Sequence, residues 1–102
     1  MLADTPGLSV KQEKMPAGTR EQLHFHTEAQ QFFYVLKGTA TFYSDGQTTT
    51  VGEHQGILIH PKTPHYIANE TAGVLEFLVI SQPSTNADRT ELDASQEPSA
   101  AV

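Results

Sequence analysis

Short β-type runs separated by turn residues constrain the fold of this chain more than any other feature. Runs rich in branched and aromatic residues occupy positions 8–15, 23–26, 31–36, 39–43, 48–51, 56–60, 65–69 and 74–80. Asp45-Gly46 lies between two of these runs and favours the tight turn of a β-hairpin. Because no long segment carries a capped 3.6-residue apolar period, the sequence predicts an all-β sandwich or barrel with few or no helices.

The length of the chain permits one hydrophobic core. With 102 residues it is too short for two ordinary domains. A core this small predicts self-association, for which a homodimer is the default. Apolar residues become sparse after Ser84, so we expect one domain over residues 1–89 and an acidic, disordered tail over residues 90–102.

Charge and composition disfavour several classes of protein. The net charge of −6, without a cluster of Lys and Arg, disfavours nucleic-acid binding. The apolar runs are far shorter than the roughly 20 residues that span a bilayer, and the first residues lack a secretory signal pattern, so we expect a cytoplasmic protein without membrane contact. The chain has no cysteine, so any metal ligands must be imidazoles, carboxylates or amides.

His24 and His26 form the first candidate binding pair. Side chains two positions apart on a β-strand point to the same face. Two neutral imidazoles on one face can clamp a metal ion, although a His-x-His pair alone also occurs on ordinary strands.

The residues around this pair form a recognisable pattern. Gly18 precedes His24-Phe25-His26 by five residues, and Gln31 and Gly38 follow at intervals of four and six residues. This pattern resembles the first conserved motif of the cupin superfamily, with Gln31 where Glu is usual.

A second stretch resembles the second cupin motif. Gly52 to Asn69 reads GEHQGILIHPKTPHYIAN, with the opening Gly, the Pro64-His65 pair and the Asn that follows it. His60 and Lys62 depart from the motif, which usually has Pro and Gly in this turn. QQFFYVLKG and FLVISQP are also similar to segments of small single-domain bacterial cupins.

The resemblance implies a jelly-roll antiparallel β-barrel with a metal site inside it. Carried over to this sequence, the ligands are His24, His26, Gln31 and His65. The chemistry of these ligands suits one divalent ion of Fe, Ni, Zn, Mn or Cu without choosing among them.

Gln31 is the informative departure from the family pattern. An amide oxygen can ligate a metal but brings no negative charge and is no proton acceptor. The ion would then be a stronger Lewis acid, and chemistry that needs a metal-bound carboxylate base, such as base-dependent dioxygenation, becomes less favoured. Two alternatives remain: Gln31 contacts a metal-bound water, or Gln30 takes its place.

Other polar candidates have simpler interpretations. Glu28 is the nearest carboxylate to the histidine pair and could act as a base, but its place in a turn favours solvent exposure. His54 and His60 lack the motif spacing and are interpreted as surface or turn residues.

The lining of the pocket is also predicted from strand alternation. Phe33 and Val35 share a face with Gln31, and Ile67 and Asn69 share a face with His65. These neighbours predict a mainly apolar pocket around the metal.

The resemblance implies a metal-dependent enzyme that acts on a small oxygen-rich metabolite, with isomerase, lyase or dioxygenase chemistry. The set of three His and one Gln is similar to that of small pectin-pathway cupins that convert unsaturated uronates. The alternative function is a non-catalytic module that binds a sugar or another metabolite, and a third is a stable dimeric barrel with a vestigial site.

Overall fold

The computed structural model describes residues 2–85 and 88–92. This part of the chain is built of β-strands, and it contains no helix with the length and apolar character needed to cross a membrane. The strands are β1 (Ala3–Thr5), β2 (Leu8–Met15), β3 (His24–His26), β4 (Gln30–Lys37), β5 (Ala40–Ser44), β6 (Gln47–Val51), β7 (Gly56–Ile59), β8 (His65–Ala68), β9 (Leu75–Gln82) and β10 (Arg89–Glu91).

The strands form two five-stranded antiparallel sheets. The first sheet has the order β1-β2-β9-β4-β7, and the second has the order β10-β3-β8-β5-β6. Neighbours in each sheet come mainly from distant parts of the sequence, as in a double-stranded, jelly-roll barrel. The fold is therefore all-β, as predicted.

Alternation along the strands sends one set of side chains between the sheets. In β9 every second residue is buried, beginning with Leu75, while the residues between are partly exposed. The apolar side chains that meet between the sheets form one core cluster. Its buried members are Met15, Phe33, Val35, Ala40, Phe42, Val51, Ile59, Ile67, Leu75, Phe77 and Val79.

The predicted hairpin joins β5 and β6. Asp45 and Gly46 have φ angles of 47° and 84°, and Ser44 pairs with Gln47. Two consecutive positive φ angles are the geometry of a type I′ turn, which matches the twist of the flanking strands. This prediction is confirmed.

Two short strands at the ends of the chain were not predicted. β1 pairs with β2, and β10 pairs with β3 through Arg89–His26 and Glu91–His24. β10 therefore extends the barrel past residue 89, where the sequence placed the domain boundary. Residues 93–102, most of the predicted tail, lie outside the described residues.

Candidate metal centre

Three histidines from two neighbouring strands meet inside the barrel. His24 and His26 lie on β3, and His65 lies on β8 directly opposite His24. All three side chains are buried, and their candidate ligand atoms lie within 4.8 Å of one another. The rings of His24 and His65 are 4.4 Å apart between centroids. The cluster can therefore hold a metal ion.

Hydrogen bonds fix which nitrogen of each ring faces the cluster. The Nδ1 atoms lie 2.8 Å from the carbonyl oxygen of Gln22 for His24, 2.8 Å from that of Asp88 for His26, and 2.7 Å from that of Thr63 for His65. A carbonyl oxygen only accepts, so each Nδ1 carries the hydrogen and each Nε2 keeps its lone pair. Metal-binding histidines have this arrangement, in which the outer nitrogen donates to a backbone carbonyl.

His26 Nε2 is buried and has no hydrogen-bond partner in the described structure. An unpaired buried acceptor of this kind costs free energy unless another group satisfies it. The donor set fits a transition-metal ion, because such an ion would satisfy this nitrogen.

Gln31 lies against the cluster on β4. Its Nε2 donates to Ser81 Oγ at 3.1 Å, which turns its Oε1 toward His65 Nε2 at 3.2 Å. Both of these facing atoms are acceptors when His65 Nδ1 holds the hydrogen, so a cation near them would satisfy both. Gln30 lies on the opposite face of the strand, where its Nε2 donates to Gln82 Oε1 at 2.9 Å.

Burial keeps the three imidazoles neutral. Desolvation lowers the pKa of His24 to about 3 and that of His65 to about 4, and it also lowers the pKa of His26. Bonds from Nδ1 to backbone carbonyls oppose these shifts without cancelling them. At neutral pH the rings are therefore in the form that binds metal.

Asp88 supports the site from the C-terminal segment, and sequence reasoning missed it. Its carboxylate accepts the backbone N–H groups of Thr27 at 2.7 Å, Glu28 at 2.9 Å and Ala29 at 3.0 Å. Desolvation raises the pKa of Asp88, but these three bonds outweigh it and the pKa is lowered. The residue thus anchors the turn after β3 while its carbonyl orients the ring of His26.

The pocket beside the histidines is more polar than predicted. It has a volume of about 270 Å³ and contains two apolar side chains among its lining residues, Phe33 and Val79. The expectation of a mainly apolar pocket is wrong, because Val35 and Ile67 lie in the core cluster and Asn69 bonds the carbonyls of Met15 and Gly73. The other lining residues are Lys11, Glu13, Glu21, His24, His26, Gln31, Ser81, Thr85 and Arg89.

Comparison with known proteins agrees with this architecture. The family model for the cupin domain matches residues 11–81, which is more than half of the chain. The chain belongs to the cupin domain family. An uncharacterized protein of Methanocaldococcus jannaschii is 31% identical over 84 residues, which cover 82% of this cupin and 67% of that protein.

Solved structures share the cupin fold at low sequence identity. An uncharacterized conserved protein with a double-stranded β-helix domain from Klebsiella pneumoniae has a TM-score of 0.81 and 19% identity, over 90% of this cupin and 80% of that chain. The DMSP lyase DddQ from Ruegeria pomeroyi has a TM-score of 0.74 and 20% identity, over 85% of this cupin and 44% of that chain. These likenesses support the fold.

The backbone geometry explains two turn residues of the cupin motifs. Gly38 has a φ of 88°, and a Cβ there would lie 2.8 Å from the carbonyl oxygen of Val74, so only glycine fits. Lys62 has a φ of 67° although it is not glycine, and its N–H donates to the carbonyl oxygen of His26 at 2.6 Å. The departure at Lys62 therefore keeps a left-handed turn that connects to β3.

The remaining candidates are exposed and do not belong to the histidine cluster. Glu28 is exposed in the turn between β3 and β4. His54 is exposed with a φ of 62°, and its Nδ1 lies 3.4 Å from the hydroxyl of Tyr34. His60 is also exposed.

Proposed function

We propose that this cupin binds one divalent metal ion through Nε2 of His24, His26 and His65 and Oε1 of Gln31, and that it acts on a small oxygen-rich metabolite. The candidate ions are Fe, Ni, Zn, Mn and Cu. The reaction would be of the isomerase, lyase or dioxygenase type. A bound ion would supply Lewis-acid polarisation of an oxygen atom of the substrate.

One observation carries the proposal: three buried imidazoles expose their lone pairs to one point while every Nδ1 is held by a backbone carbonyl. A hydrophobic core gains nothing from three desolvated rings, because burying polar groups costs free energy. Strands from both sheets hold the donors in place, so metal binding would need little rearrangement.

The pocket supports a polar substrate of limited size. Lys11 and Arg89 bring positive charge to its wall, and Glu13 and Glu21 bring carboxyl groups. An amide at position 31 leaves the charge of the ion intact, which favours an anionic or chelating ligand. Polar groups of both signs suit a molecule with several hydroxyl, carbonyl or carboxyl groups.

Elemental analysis of protein purified without added metal tests the metal site. We expect close to one transition-metal ion per chain in the wild type and almost none in His26→Ala. His60→Ala is the matched control, because this histidine is exposed and should keep the metal. Negligible metal in the wild type, also after incubation with each candidate ion, would remove the basis of the proposal. Stable metal binding without turnover of any hydroxy or oxo acid would favour the non-catalytic binding module.

Gln31→Glu tests whether the amide oxygen is a ligand. A carboxylate at this position adds negative charge beside the ion, so we expect tighter binding of divalent ions, by about tenfold or more. Gln30→Glu places the same charge on the outer face of β4 and should leave metal affinity almost unchanged. Equal affinities in both variants and the wild type would contradict ligation by Gln31.

A homodimer through the outer face of the first sheet remains part of the proposal. Val10, Ile80, Phe32 and Leu58 lie side by side across four neighbouring strands, in register. Phe32 and Leu58 are 37% and 45% exposed, and contiguous exposed apolar side chains mark interaction surfaces. In analytical ultracentrifugation we expect the wild type to sediment as a dimer and Leu58→Lys to sediment as a monomer. A monomeric wild type would contradict the proposed homodimer.

A further inference from the structure

A carboxyl group lies in the wall of the metal pocket where neither cupin motif places one. The N–H of Glu21 donates to the carbonyl oxygen of Ile67 at 3.0 Å, and Arg20 forms a β-bridge with Ala68. Antiparallel partners have their side chains on the same side of a sheet. Ile67 is fully buried and lies two positions after His65, so Glu21 faces the interior on the same side as this histidine.

The surroundings of Glu21 favour the protonated carboxyl. Burial raises its pKa to about 7; Arg89 on β10 and the N–H of Ile67 lower it, and Glu13 on β2 raises it. Lys11 on β2 lines the same pocket, as do His24 and His26 on β3, and His65 on β8 belongs to the same histidine cluster. Glu21 is thus a carboxyl group balanced between its two forms within a pocket that holds both positive and negative neighbours.

We propose that Glu21 is the acid–base residue of this pocket, an inference that rests on the proposed metal site. It holds a proton in the metal-free protein near neutral pH and releases it when a divalent ion binds the three histidines. A nearby positive charge favours the carboxylate over the carboxylic acid, which is the physical reason for the release. The base would therefore form together with the metal site.

This assignment supplies the group that Gln31 cannot provide. An amide neither accepts nor releases a proton near neutral pH, so the ligand set has no base of its own. In the isomerisation of an α-hydroxy carbonyl compound, the Glu21 carboxylate would take the proton of the hydroxyl-bearing carbon, and the C–H electron pair would form a C=C bond to the carbonyl carbon while the carbonyl oxygen gains the negative charge. The hydroxyl proton would then move to that oxygen, the carboxylic acid would return its proton to the former carbonyl carbon, and the hydroxyl-bearing carbon would become the new carbonyl. The carboxylate is thus restored and no other reactant is consumed.

The first test is a pH titration of Glu21 in the metal-free protein. NMR of ¹³C-labelled glutamate carboxyl groups monitors the titration. We expect a midpoint near 7 for Glu21. Assignment of the wild-type signal through its bonds makes this test independent of any variant. A Glu21 midpoint in the ordinary range, about 4.3, would overturn the inference.

The second test uses Zn²⁺ alone and counts protons released on binding at pH 6, with the bound zinc measured in the same titration. Wild-type protein should release about half to one proton per ion more than Glu21→Gln. Gln keeps an oxygen that can accept from the N–H of Ile67, so this variant should fold. Glu28→Gln is the matched control and should behave as the wild type.

The two possible failures give different results. If Zn²⁺ binds but the wild type and Glu21→Gln release equal numbers of protons, the role of Glu21 is overturned and the metal site stands. If Zn²⁺ does not bind to the wild type, the proposed function is overturned, and the inference about Glu21 is overturned with it.

Discussion

The two ends of the barrel interior differ in chemistry although the same strands build both. Along the inner face of β4 the buried side chains run from Val35 and Phe33 to Gln31. Along β9 they run from Leu75 through Phe77 to a serine, Ser81. One end of the interior is an apolar core, and the other end carries the polar groups of the candidate site.

Cross-strand register aligns the polar positions into one row. Gln31 pairs with Ser81, and Ser81 pairs with Ser9 on β2. All three are as well buried as the core residues at the other end, where Leu75 pairs with Met15. Burying polar side chains costs free energy, so a buried polar row beside three histidines indicates a site rather than a core. Strand alternation therefore determines whether a side chain points inward. Its position along the strand determines whether that side chain belongs to the apolar core or to the polar site.

The largest expected effect is that acid destabilises the metal-free protein through the buried histidines of the polar end. The folded-state pKa values of His24 and His65 are about 3 and about 4, below the ordinary 6.5 of the unfolded chain. As pH falls below 6.5, the unfolded state therefore takes up protons that the folded state does not, and the free energy of unfolding decreases toward pH 4.

Glu21 has the opposite sign in this pH range. Its pKa is raised from 4.5 to about 7, so its contribution stabilises the fold fully below pH 4.5 and is lost as pH rises through 7. Three buried histidines outweigh one carboxyl, so a net loss toward acid remains. Urea unfolding of metal-free protein at pH 7.5, 5.5 and 4.5 measures it, and a stability that stays constant over this range would contradict the neutral state of the buried rings.

Phe77→Ala removes a fully buried ring from the apolar end. Large-to-small changes of this kind cost the transfer free energy and leave a cavity, so we expect a loss of about 3–5 kcal/mol in the free energy of unfolding. Urea unfolding followed by circular dichroism measures it. Metal affinity of the folded fraction should be nearly unchanged, and a large loss of affinity would show that the two ends are coupled.

His65→Ala is the corresponding change at the polar end. We expect metal affinity to fall by more than about 100-fold, since one of the proposed ligands is lost. The free energy of unfolding of the metal-free protein should change by about 1 kcal/mol or less, because a desolvated imidazole is lost together with its bond to Thr63. Isothermal titration with Zn²⁺ and urea unfolding separate the two effects. A large destabilisation without loss of affinity would reverse the assignment of this end.

Asp88→Ala should lower metal affinity less than His65→Ala does. The turn after β3 loses a carboxylate that accepts three backbone N–H groups, which should cost about 1–2 kcal/mol of unfolding free energy. Because the Asp88 carbonyl orients the ring of His26, metal affinity should also fall, by about tenfold. Asp45→Ala in the β5–β6 hairpin is a control for loss of a turn aspartate far from the pocket. Unchanged zinc affinity in Asp88→Ala would show that the turn does not position the ring.

Local patterns predicted the strands and the hairpin because these features depend on neighbouring residues. Asp-Gly favours positive φ angles wherever it occurs, and the structure has them at Asp45 and Gly46. The shared face of His24 and His26 follows in the same way from the two-residue period of a strand. The resemblance to two cupin motifs added His65, which the structure places directly opposite His24.

Glu21 and Asp88 could not be found by the same reasoning. Glu21 reaches the pocket because its segment pairs with β8, and Asp88 supports His26 because its carbonyl meets a ring 62 positions earlier in the chain. No local period records such pairings, and both residues resemble ordinary surface acids in the sequence. The sequence by itself therefore determined eight of the ten described strands and the shared face of His24 and His26, and the resemblance added His65. Only the tertiary structure decided which charged side chains share their pocket, because pairing between distant segments sets burial, and burial sets the state of each titratable group.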